Sequence, residues 1–204
     1  PMHPDLAPQF AMVRDAAEVL GLNPVRVDGL EADDVIASYV LAAQLAGMDI
    51  ELLSSDKDMM PLIALGVTMF DPLKGKPVTA ETVMEKFGVT PDLLPYVLAL
   101  AGDSADNIPG VPGIGIKTAA ALIGRYGSVE GAIENADFVT PPRIGSLLTV
   151  HADQARRSLE LVNLKSDVPL PAPLDALRYT GPGAGLDEFL ERHAFKSILE
   201  AEAA

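Results

Sequence analysis

The sequence predicts an α/β domain with a parallel sheet, followed by a region made of helices. In the first part, short apolar runs of strand length alternate with longer segments of helical periodicity, an order that places the strands parallel. From residue 79 onwards only helical periodicity is seen. Hydrophobic residues make up 49% of the 204 residues, which is enough for a folded core. We therefore predict two regions, residues 1–100 and residues 101–204.

Each element of the first part is bounded by a turn signal. Gly21 and Gly47 follow helical segments, as C-terminal glycines do. Strand–helix–strand order implies that acidic residues after the strands lie at the carboxyl edge of the sheet, where such sheets place their sites. The predicted elements are a helix closing over residues 15–20, a strand at 25–27, a helix at 32–45, a strand at 50–53, a helix near 59–64 and a strand near 67–70.

The second part is defined by helix caps. Gly88 ends one helix, the Thr90–Pro91 pair begins another, and Ser128 is a typical N-cap. A proline-rich stretch at residues 169–173 interrupts the helical pattern. The predicted helices cover residues 79–87, 91–101, 117–123, 129–135, 144–150, 152–162, 186–192 and 195–201.

Seven carboxylates fall in three short clusters, each where an apolar segment meets a loop. Crowded carboxylates repel one another unless a cation neutralises them, and hard oxygen ligands suit Mg²⁺ or Mn²⁺. Two such ions are the usual apparatus for cutting phosphodiesters. The clusters are Glu31, Asp33 and Asp34; Asp56 and Asp58; and Asp103 and Asp106.

Each cluster also has a simpler interpretation. Acids that open a helix interact well with its dipole, and acids in turns cap backbone amides. For any one cluster, such capping is the stronger interpretation. Three clusters at the edge of one α/β layer are harder to explain as three independent caps, so together they favour a metal site.

A glycine-rich segment precedes the predicted helix at residues 117–123. Gly110, Gly113 and Gly115 lie within six residues, and the last two directly precede the helix. Glycines let a backbone approach a ligand closely, and exposed amides at a helix N-terminus bind anions. With Lys117 adding positive charge, the pattern fits a helix–hairpin–helix that grips a DNA backbone without reading bases. The simpler interpretation is a tight interhelical turn.

The net charge of −14 argues against a broad nucleic-acid surface, so any DNA contact must be local. The absence of cysteine excludes disulfides and thiolate metal sites and fits the cytoplasm. Neither a membrane span nor an export leader is predicted.

Three motifs, EADDVI at residues 31–36, SDKDM at 55–59 and GDSADNIPGVPGIGIKTA at 102–119, resemble the 5′-nuclease domain of bacterial DNA polymerase I. The same family includes free-standing 5′–3′ exonucleases and flap endonucleases. The resemblance covers at least residues 5–134 in unbroken order. It implies a PIN-like nuclease core, followed by a helical region with a helix–hairpin–helix of the H3TH type.

The resemblance also implies roles for particular residues. The family hydrolyses DNA at a 5′ end or 5′ flap, using two or more Mg²⁺ or Mn²⁺ ions, with a monovalent cation such as K⁺ at the hairpin. The metal ligands would be Glu31, Asp33, Asp34, Asp56, Asp58, Asp103 and Asp106, with Asp34, Asp56, Asp58 and Asp103 as the catalytic set. The DNA-binding residues would be Gly113, Ile114, Gly115, Lys117 and Thr118.

The chain departs from the family pattern at its start. Members of the family have an arch, a segment with Lys and Arg that contacts the scissile phosphate, and this chain begins where that segment would have ended. Two further carboxylates, the arch cations and two strands are therefore expected on a preceding portion, and a polymerase domain on the same parent protein. Three hypotheses remain: a 5′ nuclease lacking its front, a DNA-binding module that grips but does not cut, and an acidic α/β protein whose clusters are only caps.

Overall fold

The computed structural model describes residues 3, 4 and 6–195. It divides into two compact units, one formed by residues 33–168 and the other by residues 1–32 with 169–204. Among the described residues, none of the helices combines the length and apolar character that a membrane span requires. In chain order the α-helices are α1 (Ala7–Val19), α2 (Ala32–Leu45), α3 (Ala80–Phe87), α4 (Leu94–Ala101), α5 (Ile116–Tyr126), α6 (Val129–Glu134), α7 (Pro142–Val150), α8 (Ala152–Val162) and α9 (Leu186–Arg192).

The unit of residues 33–168 contains a three-stranded sheet in the order β1 (Glu51–Leu53), β2 (Thr68–Asp71) and β3 (Lys76–Val78). β1 and β2 are parallel, as the sequence predicts. β3 runs antiparallel to β2, so the sheet is mixed. The sequence gives no strand signal for β3, because this segment is short and contains lysine and proline.

The turn between β2 and β3 is closed by the buried side chain of Asp71. One carboxylate oxygen accepts from the backbone N–H groups of Leu73 and Lys74, and the other lies 2.6 Å from the Lys74 ammonium. The hydrogen bond from the Lys74 side chain lowers the pKa of Asp71. This acid at a strand end therefore shapes a turn and takes no part in the clusters described below.

Two predicted elements of the first part are corrected by the structure. Residues 25–27 form no strand, and no described strand in their unit offers the backbone partner that a strand needs. The predicted helix near residues 59–64 is a 3₁₀ helix, Lys57–Leu65. Pro61 lies inside it and has no N–H to continue an α-helical ladder.

Most other helices begin and end where their caps predict. α2 matches its predicted bounds. The Thr79 side chain accepts from the Thr82 N–H at the start of α3, and Gly88 ends that helix with φ 78°. The Ser128 side chain accepts from the Gly131 N–H and begins α6. In the predicted helix at residues 195–201, Phe195 is not helical, and the remaining positions lie outside the described residues.

The core of the larger unit is built around α4, whose side chains Leu94, Val97, Ala99 and Leu100 are fully buried. α4 packs against α5 and α8, which explains why it is apolar on nearly every face. It ends at Gly102, directly before Asp103. The core therefore fixes the start of the loop that leads into the glycine-rich segment.

In the smaller unit, α1 packs against α9. The Gly183 N–H donates to the Val19 carbonyl at 2.8 Å, and α9 buries Leu186, Phe189 and Leu190.

Candidate metal centre and DNA-binding hairpin

Five of the seven clustered carboxylates come together in the unit of residues 33–168. They form two groups, in each of which one oxygen from every member lies within 4.8 Å of the others. Asp58 belongs to both groups, which makes the arrangement one continuous site. The groups are Asp33, Asp56 and Asp58, and Asp58, Asp103 and Asp106.

The loop after β1 fixes the acids of the second cluster. The Asp56 N–H donates to the Ser54 hydroxyl at 3.0 Å, and the Asp56 carboxylate accepts from the Asp58 N–H at 3.1 Å. Asp56 is thus the N-cap of the 3₁₀ helix, as the simpler interpretation predicts. Capping and metal binding are compatible here, because a carboxylate has more acceptor sites than one amide uses.

The loop after α4 fixes the acids of the third cluster. Asp103 and Ile108 exchange two backbone hydrogen bonds of 2.8 Å, which closes the loop. The Asp103 carboxylate also accepts from the Ala105 N–H at 3.0 Å. Asn107 adopts φ 56°, a left-handed conformation that asparagine tolerates better than most residues. Both Asp103 and Asp106 are therefore held on a closed loop.

Lys57 lies among the carboxylates of the second group. Its ammonium is 2.7 Å from Asp103, 3.2 Å from Asp106 and 3.6 Å from Asp58. Burial lowers the pKa of Lys57, but the hydrogen bonds to Asp103 and Asp106 outweigh it, and the pKa lies above its ordinary value. An ammonium held by three carboxylates shows that this position favours a cation.

The pKa values of two acids move in opposite directions. Burial raises the pKa of Asp58, and the nearby carboxylates add to that rise against the opposing effect of Lys57. Burial also acts to raise the pKa of Asp103, but the hydrogen bonds from Lys57 and the Ala105 N–H bring it below its ordinary value. Of these two acids, Asp58, which both groups share, is the one at which protons compete more strongly with cations.

The donor set fits divalent ions of the hard type. Every donor in the two groups is a carboxylate oxygen, the ligand that Mg²⁺ and Mn²⁺ prefer over nitrogen or sulfur. The negative charges of carboxylates at this spacing also repel one another, and a divalent ion removes that repulsion. On geometry and chemistry, the residues present suit two such ions sharing Asp58.

Asp34 lies in neither group, and its place among the metal ligands and catalytic residues stays a prediction. Its side chain is buried, and one carboxylate oxygen accepts from the Lys165 N–H at 2.9 Å. One turn along α2, the Ser38 hydroxyl accepts from the Val168 N–H at 3.1 Å. The buried face of α2 thus anchors residues 165–168, and Asp34 has a structural contact there.

Glu31 belongs to the other unit, in which it is exposed directly before α2. Its role as a metal ligand stays a prediction.

We expect the neighbouring acids Asp33 and Asp34 to differ when each is changed to alanine. Asp34→Ala removes the charged acceptor of the part-buried hydrogen bond from the Lys165 N–H and should lower the free energy of unfolding by about 1–3 kcal/mol. Asp33→Ala should cause the larger loss of Mn²⁺ affinity. Chemical denaturation and Mn²⁺ titration of both variants check this. Asp34→Asn, which keeps an oxygen acceptor, should recover most of the stability, and a greater metal loss in Asp34→Ala would contradict the assignment.

The glycine-rich segment forms a hairpin between α4 and α5. Gly113 has φ 87° and is exposed, and Gly115 is the N-cap of α5 without a side-chain hydrogen bond to the helix. Because glycine has no side chain, the N-cap residue offers no acceptor to the first amides of α5. Amides without such a cap are what anion binding requires. Lys117 is exposed beside them, and Thr118 is half-buried.

Ile114 differs from the other predicted DNA-binding residues. Its side chain is buried in the core, and its N–H donates to the Val111 carbonyl at 3.0 Å. The buried Ile114 side chain anchors the hairpin to the core, and the DNA-binding role of this residue stays a prediction.

Two further residues belong to the hairpin region. Arg125 lies two turns beyond Lys117 on α5, and both line a groove of about 520 Å³ whose lining residues include no acid. Gln154 on α8 donates to the Gly110 carbonyl at 2.6 Å. The sequence carries no signal for the Gln154 contact, because 44 residues separate the partners.

Two family descriptions match the chain in succession. The 5′–3′ exonuclease N-terminal resolvase-like domain matches residues 1–88, and the 5′–3′ exonuclease C-terminal SAM fold matches residues 89–184. The chain belongs to the 5′–3′ exonuclease family. This confirms the resemblance inferred from the three motifs. The region boundary near residue 100 stays a prediction.

Known members and neighbours of the 5′–3′ exonuclease family agree with this assignment. DNA polymerase I of Rhizobium leguminosarum is 42% identical over 173 residues, which are 85% of this chain and 17% of that protein. The chain thus spans about a fifth of the length of that curated relative.

Among solved structures, the T5 5′-exonuclease with bound zinc has a TM-score of 0.71 at 25% identity, covering 94% of this chain and 71% of that one. The bacteriophage T5 flap endonuclease, in a complex with DNA and metal ions, has a TM-score of 0.61 at 26% identity, covering 81% and 59%. These neighbours confirm the predicted nuclease fold.

Proposed function

We propose that this chain is the 5′-nuclease portion of a DNA polymerase I, a metal-dependent hydrolase that cuts DNA phosphodiesters at a 5′ end or 5′ flap. The observation that carries the proposal is the pair of carboxylate groups that share Asp58. Both groups lie in the same compact unit as the hairpin between α4 and α5. A site of this kind needs both a place for cations and a grip on the phosphate backbone.

Metal binding and phosphate binding would fall to different residues of the chain. Asp33, Asp56 and Asp58 would hold one Mg²⁺ or Mn²⁺ ion, and Asp58, Asp103 and Asp106 the other. When bound, such ions supply an activated water and neutralise the charge on the leaving oxygen. The uncapped amides at the start of α5 and the ammonium of Lys117 would hold a backbone phosphate, which fixes the duplex without reading its sequence.

Three further parts of the proposal rest on the family. A K⁺ ion at the hairpin would bind backbone carbonyls there. The relative at 42% identity is a DNA polymerase I, so we propose a polymerase region and further nuclease segments on the same parent protein. Its place of action would be the bacterial cytoplasm, on nucleoid DNA.

Cleavage of a labelled 5′-flap DNA tests the proposal. The chain is incubated with Mg²⁺, with Mn²⁺, or with a chelator, and the cut position is mapped. Cutting near the flap junction only with metal is the expected result. Salt-sensitive binding without cutting would instead support a DNA-binding module that keeps only the hairpin grip. If the chain neither binds nor cuts the flap DNA, both the nuclease and the DNA-binding module are overturned.

A further inference from the structure

The exposed side of α5 carries two cations at the ends of one row of side chains. Lys117, Ala121 and Arg125 follow one another at four-residue spacing, which places them on the same side of a helix. All three are exposed, and among the described residues neither cation forms an ion pair. We call this row the α5 row. At a rise of about 1.5 Å per residue, its two cations are about 12 Å apart along the helix axis.

The α5 row borders the groove of about 520 Å³ that α5 forms with residues 139–144. Leu122, Val139 and Ile144 give the groove an apolar wall, and its lining residues include no acid. The chain as a whole has a net charge of −14, so a surface with two unpaired cations and no acid is exceptional in it. The charge of the groove therefore favours an anionic partner.

An aromatic ring holds the guanidinium of Arg125 in place. The central guanidinium carbon lies 5.2 Å from the centroid of the half-buried Tyr126 ring, within the range of a cation–π contact. A restrained arginine loses less conformational freedom on binding than a free one, and its planar fork fits the oxygens of a phosphate. Because the ring keeps Arg125 at its own end of the row, this cation is available for a phosphate other than the one at Lys117.

We propose that the α5 row binds the backbone of one DNA strand at two separate phosphates, with Arg125 as the second phosphate contact. The first phosphate lies at the start of α5 beside Lys117. The strand then passes over Ala121, whose small side chain leaves room for it, with its sugars against the apolar wall of the groove. Arg125 donates to a phosphate further along the same strand, and Tyr126 is the positioning residue for Arg125.

The contact is made to the backbone, so it adds affinity without reading sequence. An acidic peptide is the other anion that the groove could accept. DNA is favoured because its charges continue in a regular series from the phosphate that the proposed function already places at the start of α5. The inference rests on the proposed function in taking DNA as the partner.

The test is fluorescence anisotropy of a labelled 5′-flap duplex titrated with the chain at several salt concentrations. Ca²⁺ replaces Mg²⁺, because its looser coordination disfavours cutting, and the DNA is checked for integrity afterwards. Arg125→Gln should weaken binding about ten-fold at low salt, as loss of a hydrogen bond to a charged group does. It should also reduce the slope of log affinity against log salt by about 0.9, the value for one phosphate. Two duplexes of unrelated sequence should show the same loss.

Two controls separate the proposed contact from a general effect of charge. Lys86 on α3 is also an exposed cation beside a ring, with its ammonium 4.9 Å from the Phe87 centroid, but it lies outside the groove. Lys86→Gln should leave both the affinity and the salt slope unchanged. Ala121→Leu alters no charge and keeps a strong helix former, but it fills the space between the two cations. It should weaken DNA binding several-fold.

A double-mutant cycle tests the positioning role of Tyr126. Tyr126→Phe keeps the ring and removes a buried hydroxyl that has no hydrogen-bond partner in the described part of the chain, so it should bind like the parent. Tyr126→Leu removes the ring and should lose part of the Arg125 contribution. In the Arg125→Gln background, Tyr126→Leu should cause no further loss, because the two residues act through one contact. Equal losses in both backgrounds would show that Tyr126 does not act through Arg125.

The other outcomes also decide. Unchanged affinity and salt slope in Arg125→Gln would overturn the second contact and leave the phosphate site at the start of α5 standing. Equal losses in Arg125→Gln and Lys86→Gln would show a general charge effect and overturn it as well. A groove that instead binds labelled polyglutamate through Arg125, with DNA binding unaffected by Arg125→Gln, would be a peptide site. Absence of DNA binding by the parent would overturn the DNA-binding part of the proposed function together with this inference.

Discussion

Changing Asp103 and Asp106 together to asparagine is expected to lower metal-dependent flap cleavage by about 100-fold or more, the loss typical of removing electrostatic support from a transition state. The two residues supply two of the three carboxylates in the group completed by Asp58. An amide oxygen is a weaker ligand for a hard divalent ion than a carboxylate, so Mn²⁺ binding should weaken as well. Single-turnover cleavage and Mn²⁺ titration measure the two effects separately.

The double variant should remain folded. The Asp103–Ile108 bridge uses backbone atoms only, and an asparagine oxygen can still accept from the Ala105 N–H. A matched control is Glu130→Gln with Asp153→Asn, which removes the same number of negative charges from exposed partners of Arg156. Full cleavage by the Asp103/Asp106 variant, or an equal loss in the control, would show that the loop after α4 does not hold a required ion.

Local signals in the sequence predict the helices well. Thr79 and Ser128 cap helices through hydrogen bonds to residues only three positions away, so the information lies within one turn. The same holds for Gly47 and Gly88, whose left-handed conformations end α2 and α3. Such elements could be predicted because their causes are adjacent in the chain.

Elements that depend on distant partners were predicted less well. Residues 25–27 have strand composition, but a strand exists only where another strand takes its hydrogen bonds. β3 forms in a segment of poor strand composition because Asp71 closes the turn that brings it back to β2. Strand formation was thus decided by pairing, which composition alone does not reveal.

The candidate site shows the same difference between local causes, which the sequence reveals, and distant partners, which it does not. Crowded acids at loop positions predicted that Asp56, Asp58, Asp103 and Asp106 would gather, and the structure brings them together. Asp33 joins a carboxylate group, whereas Asp34 contacts Lys165. This difference depends on which face of α2 meets residues 165–168. That contact joins residues 131 positions apart, so no local pattern distinguishes the two acids.

Changing Gly110 to alanine is expected to lower the free energy of unfolding by about 3 kcal/mol or more, through left-handed strain and overpacking together. Gly110 has φ 57°, and a Cβ added there would lie 2.6 Å from the Ala101 carbonyl carbon and from the Gly102 Cα. These are backbone atoms at the end of α4, which the core holds in place, so they cannot move aside cheaply. Denaturant unfolding measures the loss.

Gly75→Ala separates the two causes. Gly75 also has a positive φ, 63°, but a Cβ there meets nothing within 4 Å, so only conformational strain of about 1–2 kcal/mol is expected. The excess loss in Gly110→Ala therefore measures the close approach of Gly110 to Gly102. Equal losses in the two variants would show that this approach adds nothing to stability.

The close approach also joins the two parts of the site. Gly102 directly precedes Asp103, and Gly110 leads into the hairpin, so the backbone contact between them sets the loop of Asp103 and Asp106 against the glycine-rich segment. Gly110→Ala should therefore weaken Mn²⁺ binding and flap-DNA binding together, measured at a temperature where the variant is folded, while Gly75→Ala keeps both. Loss of one without the other would mean that the loop and the hairpin are positioned independently.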